Sequence, residues 1–141
     1  MFKFLFSALF TVISSTVQDC SLSTSLFKIE TLTFTPTSPT IGENTTLYLK
    51  FNNPNLVVTD GFVTTSITYN FIPFNPSVEP LCSNTKCPIV SGFTEQYSSS
   101  PWPDLSGSVT IRIVWTDLDG NQLLCMQIKE KTMISDYLEG F

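Results

Sequence analysis

Histidine is absent from the 141-residue sequence. Its absence removes the commonest general base, the commonest metal ligand and the usual sensor of endosomal pH together. Any response to pH must come from carboxylates. Basic residues are scarce as well, with seven Lys and Arg against twelve Asp and Glu, a formal net charge of −5 and no basic run. Such a chain cannot neutralise a phosphate backbone or dock electrostatically on anionic headgroups, and nucleic acid is not expected as a partner. No Ser has a visible base and no paired carboxylates sit in a motif, so no enzyme activity is expected. Four Cys without His, at scattered spacings, fit zinc knuckles poorly, and neither a metal nor a cofactor is expected. The apolar stretch Phe4 to Ile13 falls well short of the roughly twenty residues that cross a bilayer as a helix.

That stretch, with Lys3 before it and the small residues Ser14, Ser15 and Thr16 after it, has the order of a secretory signal peptide. Residues 1–16 are therefore read as the signal peptide, 17–129 as one β-sandwich domain and 130–141 as a C-terminal tail or short helix. A second domain would not fit. Export, or retention in an endosomal or lysosomal lumen, is expected. In either oxidising place, Cys20, Cys82, Cys87 and Cys125 imply two disulfides with three possible connectivities. The connectivity that closes the short loop between Cys82 and Cys87 leaves Cys20 with Cys125. That second bridge would span about a hundred residues, worth about 4.7 kcal/mol in the chain-entropy model. Asn44-Thr45-Thr46 is an acceptable glycosylation sequon, whereas Asn53 and Asn75 precede Pro.

Val, Ile, Thr, Phe and Tyr dominate, punctuated by Pro and Gly, and the chain reads as all-β. A first strand is expected over Leu26 to Thr35. Its apolar residues occupy both phases, Leu32 and Phe34 on one and Phe27 and Ile29 on the other, which suggests a bulge. Thr46 to Asn52 alternates cleanly, with Leu47, Leu49 and Phe51 inward. After a turn at Asp60-Gly61, Val63, Ile67, Tyr69 and Phe71 are expected to share one face of a strand broken by Pro73. Phe74 to Tyr97 reads as a long connection with at most a short strand. Val109, Ile111, Ile113 and Trp115 then alternate, Asp119-Gly120 turns, and Leu124, Met126 and Ile128 return as the partner strand. In the tail, Met133, Ile134, Tyr137, Leu138 and Phe141 stand at helix-compatible spacing, as a packed helix, a lid or a frayed end.

In order, these features are Asp19-Cys20, the Pro-rich TPTSPTIGENTT, Asp60-Gly61, Ile72-Pro73-Phe74, LCSNTKCPI over residues 81–89, Gly92, Pro101, and a W-x-D-x-D-G-x-x-L-L-C hairpin from Trp115 to Cys125. Over residues 19 to 128 the chain resembles the ML (lipid-recognition) domain family. The likeness is to the branch with the Niemann-Pick type C cholesterol-binding and the phosphatidylglycerol/phosphatidylinositol transfer proteins. The resemblance implies an immunoglobulin-like β-sandwich of two antiparallel sheets with a lipid cavity between them. It implies the pairings Cys20–Cys125 and Cys82–Cys87. Phe74 matches a cavity-mouth Phe of sterol binders and Trp102 an apolar residue at the entrance, whereas Ser106 stands where those proteins carry an aromatic residue. The sterol binders have a further Cys pair in the Pro-rich stretch, and this chain has none.

The implied function is to bind, and transfer, a sterol, phospholipid or fatty acid. The alternative is a secreted accessory or co-receptor module that presents lipid to a protein. Such a carrier would touch membranes transiently, hand lipid to a membrane protein and act as a monomer. Affinity needs no charge, since each buried methylene contributes about 0.8 kcal/mol. Phe51, Tyr69, Phe71, Ile113 and Trp115 are inward-facing lipid-contact candidates from periodicity. Phe74 and Trp102 join them from the resemblance, with Trp102, flanked by two prolines, expected to be exposed.

Overall fold

The computed structural model describes residues 16–54, 56–104 and 106–132. Of the expected signal peptide at 1–16, residues 1–15 lie outside the described residues, as do residues 133–141 of the expected tail. Among the described residues nine strands make two antiparallel sheets. One sheet has the order β1 (Thr16–Asp19), β9 (Gln122–Thr132), β8 (Gly107–Asp117), β4 (Gly61–Tyr69) and β5 (Ile72–Pro73), with β6 (Ser77–Pro80) also paired to β4. The other has the order β2 (Lys28–Thr35), β3 (Asn44–Asn53) and β7 (Gly92–Pro101). Among the described residues no helix is long and apolar enough to cross a membrane.

The two phases of the first strand are reconciled by the expected bulge. The register between β2 and β3 slips between Ile29 and Thr31, so that Ile29 faces Phe51, Leu32 faces Leu49 and Phe34 faces Leu47. One extra residue, Glu30, thus sends both apolar sets to the core. A second slip after Trp115 leaves Leu123 opposite no residue of β8, and both Leu123 and Leu124 are fully buried. Between the sheets Phe51 stacks on Phe27, with centroids 5.0 Å apart, and meets Trp115 edge-on at 5.5 Å. A separate cluster of Phe34, Trp102, Val109 and Ile128 fills the other end of the sandwich.

Three expectations need correction. Asp60-Gly61 is no hairpin turn, because β3 and β4 belong to different sheets. Glycine is needed there for close approach, since a Cβ on Gly61 would lie 2.0 Å from the Thr116 carbonyl oxygen. The segment after Phe74 is no mere connection: it holds β6, a 3-10 turn at Leu81–Ser83 and the ten-residue β7, which pairs with β3 along its length. The tail begins later than expected, since Glu130 is buried within β9 and the strand runs to Thr132.

The β8–β9 hairpin forms as expected and is pinned by Asp117. Its Oδ1 accepts from the Asp119 and Asn121 N–H groups at 2.9 Å each, and its Oδ2 accepts from Asn121 Nδ2 at 3.1 Å. Partial burial acts to raise this carboxyl's pKa, but hydrogen bonds from Asn121, Asp119 and Gly120 together outweigh it and hold the group below the usual aspartate range. Both disulfides are the pair the resemblance implies. Cys20–Cys125 spans 4.9 Å between Cα atoms and fastens the start of the domain to β9; Cys82–Cys87 spans 5.5 Å and closes the loop after β6.

Candidate functional site

The cavity follows from which side chains each strand sends inward. Along β3 these are Leu47, Leu49 and Phe51, and opposite them on β7 stand Ser98, Gln96 and Thr94. An edge strand whose inner face carries hydroxyls and one amide cannot fill a gap of about 10 Å between sheets. The result is an opening along the seam where β7 of the smaller sheet faces β4 of the larger. A cavity of about 290 Å³ lies there. Its apolar wall is built from Phe34 and Leu47 on one sheet and Ile67, Ile111, Ile113 and Ile128 on the other. Ser98, Ser100, Thr45 and Thr65 line it with small polar groups, and no charged residue does. Thr45 is already satisfied, its hydroxyl donating to the Ser100 carbonyl at 2.8 Å.

A smaller space of about 120 Å³ adjoins it, sharing Leu47, Thr65, Ser98 and Ile113 and reaching Trp115 and Met126. There the seam is barred. The hydroxyl of Thr85 donates to Gln96 Oε1 at 2.6 Å, and Gln96 Nε2 donates to the Asn84 carbonyl at 3.4 Å. Asn84 and Thr85 belong to the loop closed by Cys82–Cys87, so the short disulfide fixes the bar against β7. The opposite end is plugged by Trp102. Its N–H donates to the Glu43 carbonyl at 2.8 Å, its own carbonyl accepts from Gly42, and its ring lies 5.8 Å from Phe34.

Trp102 is therefore not the exposed side chain expected. It is 3% exposed and contributes to the cavity wall. The flanking prolines turn the chain over the end of the sandwich and send the indole in. Ile113 lines both spaces and Trp115 the smaller. Phe51 lies in the packed core and lines neither. Tyr69 packs on the Phe34–Trp102 cluster and its hydroxyl donates to the Ser106 carbonyl. Phe74 is half-exposed beside Tyr69, ring centroids 6.3 Å apart, and its N–H donates to the carbonyl of the cavity residue Ile67 at 2.8 Å. Phe71 departs most from its expected place. It shares no face with Ile67 and Tyr69 but occupies the β4–β5 turn, 91% exposed.

Ser98 and Ser100 are cavity residues that sequence reasoning missed. Serines in a row read as loop, and β7 sends its large residues Phe93 and Tyr97 to solvent instead of inward. The alternation of Phe93, Glu95 and Tyr97 with Thr94, Gln96 and Ser98 was the available signal. Asn44, the sequon residue, is exposed at the start of β3. At the far end of the molecule a wider depression of about 470 Å³ lies between loops bearing Asp60, Asp117 and Asp119. Leu56, Val57, Val58 and Leu118 line it too, but an apolar guest there would strip three carboxylates of water, which makes it a poorer place for a lipid chain than the uncharged cavity. Among the described residues no cluster of His, Cys, Asp and Glu could hold a metal ion.

A family model for the ML domain matches residues 14–131. No curated protein is significantly similar in sequence. Among solved structures, a Niemann-Pick type C2 protein from the Japanese carpenter ant superposes with a TM-score of 0.58 at 14% identity, over 84% of this chain and 99% of that one. Chicken MD-1, solved in complex with lipid IVa, gives 0.54 at 13% identity over the same shares. Part of the alkylpurine DNA glycosylase AlkC of Pseudomonas fluorescens gives 0.51 at 15%, over 77% of this chain but 31% of that one. At such identities the likeness is one of fold: the immunoglobulin-like sandwich of two antiparallel sheets.

Proposed function

The chain belongs to the ML domain family, and from that premise we propose that it binds a lipid in the cavity between its sheets and transfers it between membranes. The observation that carries this reading is the uncharged, mainly apolar cavity of about 290 Å³, which opens where β7 supplies serines instead of core residues. An empty space of that size costs packing, and an apolar guest restores the missing contacts. A chain of ten methylenes placed there contributes roughly 8 kcal/mol before the costs of ordering it are subtracted.

Ile113, Trp102 and Trp115 are proposed to touch the guest, with Ile67, Ser98 and Ser100 added by the geometry and Phe74 and Tyr69 at the rim. The two MD-1 and type C2 neighbours add support, since MD-1 was solved holding lipid IVa. Binding without covalent chemistry, in an oxidising extracellular or lumenal space, is part of the same reading. So are removal of a signal peptide near residue 16 and glycosylation at the exposed Asn44.

The test uses Trp102, one of two tryptophans in the chain. A fatty acid brominated along its chain should quench its fluorescence on binding, and Trp102→Phe should remove most of the quenching. Mass spectrometry of an organic extract of the purified protein should find lipid at near one mole per mole. If no lipid is extracted and no brominated chain quenches either tryptophan, the reading is wrong. Transfer of labelled lipid between donor and acceptor vesicles separates a carrier from a protein that presents lipid to a partner.

A further inference from the structure

The outer face of the smaller sheet carries an aromatic pair that the sandwich does not bury. Strands β3 and β7 send alternate side chains away from the cavity in register, with Thr46 opposite Ser99 and Tyr48 opposite Tyr97. The two tyrosine rings touch, their centroids 4.8 Å apart and their planes inclined by 38°, and Tyr97 is 71% exposed. Beyond the pair the charges are already engaged. Lys50 stands opposite Glu95 and holds its Nζ 5.2 Å from the centre of the Phe93 ring.

From the other side the pair is approached by an uncharged strip that starts at the sequon. Asn44 is exposed at the first position of β3 and shares the outward phase of Thr46 and Tyr48, while Thr45 turns inward to the cavity. Only the row of Thr35, Thr46 and Ser99 lies between Asn44 and the tyrosines. The Thr46 and Ser99 hydroxyls meet at 3.2 Å, and a pair so joined keeps a donor and several lone pairs for a third polar group. From Asn44 to Tyr48 the strand advances about 14 Å. The asparagine side chain and the two N-acetylglucosamines of an N-linked core cover that span when laid along the strand. The first sugar then lies over the hydroxyl row and the second over the rings.

The chemistry of the two surfaces agrees. A pyranose presents hydroxyl and acetamido groups at its edge and C–H groups on its faces, and those C–H groups stack on the negative face of an aromatic ring. A tether holds the sugar at millimolar effective concentration, so a weak stack is enough to keep it in place. We propose that the glycan on Asn44 lies along β3 and stacks its second sugar on the Tyr48–Tyr97 pair, which makes the pair a saccharide site for the chain's own modification. This rests on the glycosylation of Asn44 proposed above and goes beyond it. The same cover guards β7, which among the described residues pairs with β3 alone and has neither a lysine nor, before Pro101, a proline to deter edge pairing.

The experiment uses the full chain secreted from a eukaryotic host. Mass spectrometry of the peptide bearing Asn44 reads occupancy, and an unmodified Asn44 overturns the proposal together with the glycosylation reading. An endoglycosidase that cuts between the two N-acetylglucosamines removes the stacking sugar and leaves the first. Wild type should then lose about 2–6 °C in melting temperature, the worth of one aromatic contact in a domain of this size, and the Tyr97 ring resonances should move. In Tyr97→Thr the same trimming should shift the melting temperature by less than about 1 °C. An equal shift in both proteins, or Tyr97 resonances that trimming leaves in place, overturns the stack while Asn44 remains glycosylated. Free N,N′-diacetylchitobiose at about 0.1 mM, well below the tethered concentration, should leave Tyr97 of Asn44→Gln unmoved; saturable binding there would make the face a receptor for foreign glycans. A glycosylated wild type that sediments as a dimer, and as a monomer in Tyr97→Thr, would give the face to a second copy. Either result overturns the proposal.

Discussion

Ile113→Phe is the substitution that asks most directly whether the space between the sheets is real. Ile113 stands at the centre of β8, opposite Thr65 and Met126, and lines both the 290 Å³ and the 120 Å³ spaces. In a closed core, enlarging a side chain at such a place forces its neighbours apart and costs about 1–3 kcal/mol. Here the three added carbons meet empty volume. At about 0.8 kcal/mol for each carbon removed from water, and with contact on the cavity side incomplete, the lipid-free variant should gain roughly 1–2 kcal/mol. For a domain of this size that is a rise in melting temperature of about 4–8 °C. A guest loses the same room. Displacing three methylenes from the cavity costs it about 2.4 kcal/mol, roughly fifty-fold in affinity. Calorimetry of delipidated protein reads the first effect and titration with a brominated fatty acid the second. A variant destabilised in the ordinary way, by a kilocalorie or more, would mean that the sheets close in solution. Unchanged affinity would place the guest elsewhere.

The two disulfides should differ in worth. Replacing both Cys20 and Cys125 by Ser releases a loop of about a hundred residues and should cost nearly 5 kcal/mol, whereas the same change at Cys82 and Cys87 should cost about 2 kcal/mol in denaturant titration. The second loss should also free the bar at Gln96, seen as faster hydrogen exchange along residues 92–98. Asp117→Asn should lower the melting temperature by a constant amount at neutral and mildly acidic pH. Because the folded-state pKa of Asp117 is lowered, its stabilisation is complete above the unfolded value of about 3.9 and is lost as pH falls through the lower folded value. The gap between variant and wild type should therefore close only below about pH 4. Trp102→Ala should cost about 3–5 kcal/mol, as loss of a buried plug does, where an exposed indole would cost little. Gly107→Ala should detach Asn70 from Ser108 and accelerate exchange of the Asn70 amide.

Strand phase was legible wherever one face is packed and the other wet. Leu47, Leu49 and Phe51, and Ile111, Ile113 and Trp115, face inward as their alternation requires, and the doubled phase of β2 correctly implied a bulge. What failed was reasoning from residue type where the site departs from the rules of a core. Strand β7 puts aromatics outside and serines inside, the inverse of a packed strand, so it read as loop. Trp102 between prolines read as exposed because proline suggests a surface turn, but Glu43 and Gly42 hold that turn across the end of the core. Phe71 read as inward by simple continuation of the Ile67–Tyr69 alternation, which a left-handed turn one residue later cancels. These three misses fall at the cavity or its rim, where packing that a closed sandwich would keep is given up.

The bar at Gln96 has a mechanical meaning as well. Beside it, along Ser98 and Ser100, the facing strands are separated by empty volume, and among the described residues strand β7 pairs with β3 alone. Held at Gln96 and again by the Trp102 plug, the seam is a purse with a clasp at each end, and a guest larger than the cavity must part the sheets between the two. The spacing of the clasps sets how long a guest can be, while the guest itself decides how far the purse between them must open.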